Sequence, residues 1–108
     1  MTETVKIVSP VDGRVYAERP VASGAQIEGA VARSKAARRA WGEVTVRERA
    51  KYLEHFLDAL LGKNDEIVEE LAWQMGRPVR FGGEKRGVEE RARHMIGIAE
   101  EELAPSMR

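Results

Sequence analysis

Turn and cap residues punctuate this chain in an order that leaves room for one short hairpin followed by helices. Ser9-Pro10-Val11-Asp12-Gly13-Arg14-Val15 reads as strand, turn, strand. Ser23 then opens a helix that ends near Trp41, and Thr45 begins a helical pair closed by Met75-Gly76-Arg77-Pro78. Val5 to Ser9 and Val15 to Ala17 are short and β-branched. Asp12-Gly13 between them supplies a residue tolerant of positive φ followed by one with no Cβ to clear. Pro10 suits a strand's end, where its missing N–H disturbs no ladder bond, and Pro20 keeps the second strand from running on as a central one.

Ser23 with Gln26 fits a capping box, in which the hydroxyl takes a backbone N–H and the amide reaches back to the cap. Ile27, Ala30, Val31, Ser34, Ala37 and Trp41 then recur at helical steps, a small-residue stripe ending in an aromatic anchor, with Gly42 as the stop. Thr45 with Glu48 repeats the capping signature. Val46, Ala50, Leu53, Phe56, Leu57, Leu60 and Leu61 follow as a wide apolar face ending at Gly62. Asn64 is positioned to cap the next helix, whose Ile67, Val68, Leu71, Ala72 and Met75 face inward before Gly76 and Pro78 end it. These two helices are expected to form an antiparallel hairpin. After a loop over Val79 to Gly83, Val88, Ala92, Met95, Ile96, Ala99 and Leu103 mark a last long helix that Pro105 ends. The expected fold is therefore mostly α, about four helices, with a short N-terminal β-hairpin. Residues 1–22 form the hairpin and its connection, and 23–108 are helical.

At 108 residues the chain fits one small domain, and a chain of that size buries roughly 65% of its unfolded surface if it closes a core of its own. Its 18 basic and 18 acidic residues balance, which gives no electrostatic reason for a nucleic-acid or anionic-membrane partner. The charge is unevenly spread: seven basic residues against Glu43 and Glu48 give Arg33 to Lys51 a net of +5, and Glu54 to Glu70 carries −5. Solvated helix faces that pair with each other or with the rest of a larger protein account for this pattern. The chain has no cysteine, so disulfides, thiolate metal sites and thiol nucleophiles are excluded within it. Met-Thr-Glu-Thr-Val-Lys lacks the apolar run of a signal peptide, and no stretch reaches the ~18 apolar residues of a membrane span. A cytoplasmic protein is the default expectation.

Candidate chemistry is thin. Gly82-Gly83-Glu84-Lys85-Arg86-Gly87 has the glycine spacing of a phosphate loop, but Val88-Glu89 stands where Lys and Ser or Thr must hold phosphate and magnesium. His55 and His94 are the only histidines, and neither has a Cys or an H-x-x-x-H partner for metal ligation or base catalysis. Glu69-Glu70, Glu89-Glu90 and Glu100-Glu101-Glu102 are sequence neighbours on helices, so they point about 100° apart and cannot flank one substrate atom. Trp41 and Trp73 sit at the polar edges of apolar stripes, as anchors would. The basic run from Arg33 to Lys51 lacks the aromatic interleaving of a nucleic-acid surface.

The order and separation of these features resemble the N-terminal portion of the aldehyde dehydrogenase superfamily. Its chains open with an N-P-x-T-G-E-like hairpin, an Ala-rich helix ending in Trp, an E-R-like helix start and a G-K-P stop. Ser9, Asp12, Arg14 and Arg77 depart from the commonest letters. The resemblance implies a longer enzyme that oxidises an aldehyde through a cysteine thiohemiacetal, passes hydride to NAD or NADP, and releases an acid or acyl-CoA. It places the nucleophile, the base and the groups that grip the cofactor in later sequence. No catalytic, cofactor-binding or metal-binding side chain is assigned to this chain, and no cofactor is expected on this segment alone. The hairpin and helices would pad the cofactor-binding domain. The resemblance also suggests a monovalent cation held partly by the backbone carbonyls of Ile7, Val8 and Gln74; where the family commonly has an acid, Gln74 removes a charge and weakens the cation's hold.

The expectation is thus the N-terminal segment of an NAD(P)-dependent aldehyde dehydrogenase, inactive alone. Its partners would be the remainder of the parent chain and further copies of itself in a homo-oligomer, not nucleic acid or membrane. The alternative is a free-standing helical interaction module. A third reading, an independent enzyme built on His55 or His94, lacks a base, nucleophile and oxyanion trio. If the helices lack the sheet they would cover in a longer protein, some of Leu53, Phe56, Leu57, Leu60, Met95, Ile96 and Trp41 should be exposed, and the chain should self-associate.

Overall fold

A computed structural model describes residues 2–106. Strands β1 (Thr4–Val8) and β2 (Val15–Pro20) pair antiparallel, followed by helices α1 (Gly24–Glu43), α2 (Val46–Gly62), α3 (Asn64–Met75) and α4 (Lys85–Glu102), with a 3-10 turn at Val79–Phe81. The mostly helical fold with one N-terminal hairpin is the one the sequence pattern implies. The second strand is longer than Val15 to Ala17. Glu18, Arg19 and Pro20 pair with Lys6, Val5 and Thr4, because in a two-stranded sheet each strand has a free edge and a proline there removes no ladder bond. At the turn Gly13 alone takes positive φ, 73°. Asp12 instead accepts the Arg14 N–H at 3.0 Å through Oδ1, the local side-chain turn that Asp favours.

Both capping boxes form. Ser23 Oγ accepts from Gln26 N at 3.2 Å and Ser23 N donates to Gln26 Oε1 at 2.8 Å; Thr45 and Glu48 repeat the exchange at 3.2 Å each way. The other boundaries shift for physical reasons. Gly42 does not stop α1, which runs one residue further, because Arg49 reaches back from α2 and donates to the carbonyls of Trp41 (2.8 Å) and Val44 (3.0 Å). A cationic side chain satisfies the terminal carbonyls that a left-handed glycine otherwise would. Asn64 is the first residue of α3 and not its cap; Lys63 joins α2 to α3 and makes no side-chain cap bond. Gly76 does end α3 in the left-handed conformation, with Arg77 N bonded to Leu71 O and Gly76 N to Ala72 O.

The packing differs more than the elements do. The partner of α2 is α4 and not α3, which it meets sparingly beside their one-residue link. Arg47 to Glu100 at 3.0 Å and Arg93 to Asp58 at 3.2 Å fix α2 and α4 antiparallel. Leu57 is the one apolar side chain fully buried among the described residues. The α1 stripe is little covered: Ile27, Val31 and Trp41 are exposed, and no α1 residue is buried. Met75, expected inside, is exposed as well, while Ile67, Val68, Leu71 and Ala72 are half-buried. Of the seven side chains singled out as short of cover, Leu57 is buried, Leu60 and Ile96 are half-buried, and Trp41, Leu53, Phe56 and Met95 are exposed.

Candidate functional site

Distant parts of the chain build a shaped polar and aromatic junction between the hairpin and the last turns of α3. Tyr16 on β2 stacks on Trp73, with ring centroids 6.0 Å apart and planes 7° from parallel. Its hydroxyl donates to Glu70 Oε1 at 3.0 Å, and Gln74 Nε2 donates to the other oxygen of that carboxylate at 2.6 Å. The hydrogen bond to Glu70, then partial burial, then the charges of Glu70 and Glu69 raise the Tyr16 phenol above its ordinary value. Below it, Ser9 is buried; its Oγ accepts the Val11 N–H at 3.2 Å, and its backbone bonds to Arg14 and Gly13 close the turn. The turn leans on the end of α3: a Cβ on Gly76 would come within 3.0 Å of Pro10 Cγ. Val11, Val68, Ala72, Trp73 and Val79 line a groove of about 480 Å³ alongside, with Asp65 and Glu69 at its rim.

This junction unites the segments that carry Ile7, Val8 and Gln74, the backbone positions suggested for a cation. Ile7 and Val8 flank an irregularity in the ladder, where the register shifts. The Gln74 amide is engaged with Glu70, and among the described residues no group of three or more His, Cys, Asp or Glu side chains is arranged to hold a metal ion.

The remaining candidates resolve into structure. His55 and His94 are exposed on α2 and α4. Of the carboxylate pairs, Glu70 belongs to the junction, Glu89 accepts from Arg93 at 3.1 Å, and Glu100 holds Arg47, whose guanidinium that hydrogen bond pushes to a higher pKa. Bonds to Glu89 and Asp58 raise Arg93 likewise. In the basic run, Arg47 and Arg49 are used internally, Arg49 also lying 5.1 Å over the Trp41 ring. The glycine-rich lead-in to α4 has a packing reason: a Cβ on Gly83 would meet Asn64 Oδ1 at 3.0 Å and Val68 Cγ2 at 3.3 Å, so the turn closes against α3. The Arg77–Glu84 ion pair braces the same turn.

Sequence reasoning missed the Tyr16–Trp73–Glu70 junction. Its partners lie more than fifty positions apart, and the one local signal, an aromatic residue in a strand too short to bury it alone, names no partner. The Ser9 hydroxyl carried a signal that could have been read, a Ser two residues before a turn N–H. The arrangement holds the hairpin to the helices.

An α-rich chain with an opening hairpin and two capping boxes is the class the geometry defines. Residues 1–104 match the aldehyde dehydrogenase family, and the chain belongs to it. It is similar to 3,6-anhydro-alpha-L-galactose dehydrogenase of Streptomyces coelicolor, with 32% identity over 70% of this chain and 15% of that protein. It is 33% identical to 2-hydroxymuconic semialdehyde dehydrogenase of a Pseudomonas species, over 69% of this chain and 16% of that protein. Malonate-semialdehyde dehydrogenase 1 of Geobacillus kaustophilus is 29% identical over 82% of this chain and 18% of its own length. The chain therefore aligns with between 15% and 18% of the length of these relatives. No solved structure matches it.

Proposed function

We propose that this chain is the N-terminal segment of an NAD(P)-dependent aldehyde dehydrogenase, part of its cofactor-binding domain, and that it is inactive alone. The observation that carries the reading is the family match over residues 1–104 in a chain with no cysteine. The family's reaction needs a thiolate nucleophile to attack the aldehyde carbon, and the thiol group is the one such a chain cannot supply. In the complete enzyme the nicotinamide cofactor accepts hydride. The residues of this segment contribute position: the Tyr16–Trp73 stack and the Pro10–Gly76 contact hold the hairpin to α3, and the α2–α4 ion pairs set the helix register. The names of the relatives support oxidation of a small aldehyde or semialdehyde, with the substrate set by later sequence.

Two measurements test this. Sequencing the gene beyond the Arg108 codon should reveal an in-frame F-x-x-G-x-x-C-like nucleophile segment. The purified 108-residue chain, offered a panel of aldehydes with NAD or NADP, should give no more reduced cofactor than a no-protein control. Reduction above that control would refute the inactivity of the segment, and a downstream frame without a cysteine segment would refute the assignment to a dehydrogenase parent.

A further inference from the structure

Helix α1 is 20 residues long, a rod of about 30 Å, and it stands away from the other helices. None of its described side chains is buried. Among the described residues, every hydrogen bond, cation–π contact and ring contact that it makes with a later element runs through Trp41, near its C-terminal end. Val44 and Thr45 alone join it to α2, both with extended backbone at ψ 125° and 157°. A 20° change at that link would swing the far end of such a rod by about 10 Å.

Arg49, in the first turn of α2, spans that link. Its Nη2 donates to the Trp41 carbonyl at 2.8 Å, its Nε donates to the Val44 carbonyl at 3.0 Å, and its Cζ lies 5.1 Å from the centre of the Trp41 ring. Tyr52 meets the same indole edge-on, with centroids 5.7 Å apart. One half-buried guanidinium thus grips the end of α1, the link and the anchor ring together. A planar fork with several donors suits that task, and its charge strengthens each bond. Apolar surface works against the extended pose. Ile27 is 55% exposed and Val31 50% on α1, while Leu53 and Phe56 on α2 are 52% and 63% exposed. Folding α1 back would take such side chains out of water. The helix stands clear all the same, so something holds it there.

We propose that Arg49 is a latch that fixes α1 as an extended arm, keeping its Ile27 and Val31 stripe off the chain's own apolar α2–α4 face. Arg49 is a positioning residue, acting through the Trp41 and Val44 carbonyls and the indole. An arm held at one angle meets the remainder of the parent protein without first being ordered. That consequence rests on the reading of the chain as a segment of a longer enzyme; the latch does not.

The chain has no cysteine, so introduced cysteines carry spin labels only where they are placed. Lys35→Cys with His94→Cys, both at exposed positions, reports the arm, and Ala59→Cys with Glu101→Cys reports the α2–α4 pair. Pulsed dipolar spectroscopy reads each distance distribution, with labelled chain diluted in unlabelled chain so that only distances within one molecule count. Both distributions should be narrow while Arg49 is in place. In Arg49→Leu, which keeps apolar bulk and loses every donor, the arm distance should shorten and broaden, by about 10 Å for a 20° swing. The α2–α4 distance should hold, and the radius of gyration from small-angle scattering should fall below 19.1 Å. Arg49→Lys keeps the charge without the fork, so its arm distribution should fall between the two. It carries the test if the α2–α4 pair reveals that Arg49→Leu has disturbed α2. An arm distance and radius of gyration unmoved in both variants overturn the proposal, and so does an arm already broad or folded back while Arg49 is present. The measurement uses neither aldehyde nor cofactor, so its failure leaves the enzymatic reading standing.

Discussion

Thr45 does three things with one hydroxyl and one N–H: it accepts from Glu48 N, donates to the Glu48 carboxylate, and offers its own N–H to that same carboxylate. Replacing it by Ala leaves an orphan donor at the head of α2 and should cost about 1 kcal/mol, read as a lower midpoint in chemical denaturation followed by circular dichroism. A change near zero would place the helix start elsewhere. Gly76 carries a heavier constraint, since its φ of 73° and the 3.0 Å approach of Pro10 both act against a side chain. Gly76→Ala should destabilise by about 1–2 kcal/mol from the left-handed conformation alone, and it should also loosen the hairpin, seen as weakened Tyr16–Trp73 proximity in fluorescence or NMR. Tyr16 reports the same junction through pH. Its phenol is raised by the bond to Glu70, so the folded state holds that proton more tightly than the unfolded chain does. The contribution is complete below about pH 10, the ordinary tyrosine value, and is lost as pH climbs through the raised folded value. In Glu70→Ala, tyrosinate absorbance assigned to Tyr16 should appear at lower pH than in the parent; an unchanged titration would mean that the bond does not form in solution.

At the scale of elements, what was legible in the sequence was local and what was not was a choice of partner. The capping boxes at Ser23 and Thr45 and the left-handed stop at Gly76 each involve residues within a few positions, so the residue types determine the geometry. Gly42 misled because the carbonyls at the end of α1 are satisfied by Arg49, which belongs to the next helix. The pairing of α2 with α4 over α3 was hidden for a similar reason. Apolar faces say that a helix must pack, while the Arg47–Glu100 and Asp58–Arg93 bridges that select its neighbour span fifty-three and thirty-five positions. The candidate site was the least legible of all, since the Tyr16–Trp73 stack depends on how the hairpin folds back. A consequence follows for α1, whose stripe touches little beyond the Trp41–Tyr52 edge contact at 5.7 Å. Its amides should exchange with deuterium well before those of α2 and α4, which brace each other. Equal protection across the three helices would show that α1 is covered after all.

For the molecule as a whole, the radius of gyration is 19.1 Å within extents of 59 × 40 × 25 Å, where a compact chain of this length would have about 13 Å. A structure this open has a thermodynamic signature. Against an unfolded surface of roughly 17,500 Å², the exposed 9422 Å² means that about 46% of the surface is hidden on folding, in place of the ~65% of a closed core. Because the denaturant slope scales with the area that unfolding exposes, the dilute chain should show a urea slope about 0.7 times that of a compact protein of the same length. If copies of the chain associate, raising the protein concentration should raise both slope and midpoint, since association would hide surface that the single chain leaves open and binding that favours the folded form shifts unfolding by mass action. Urea titrations at two concentrations a hundredfold apart measure both. A steep transition in the dilute sample, unmoved by concentration, would mean that the chain closes a core by itself, and the helices would then have to pack in a way that covers Phe56, Leu53 and Met95.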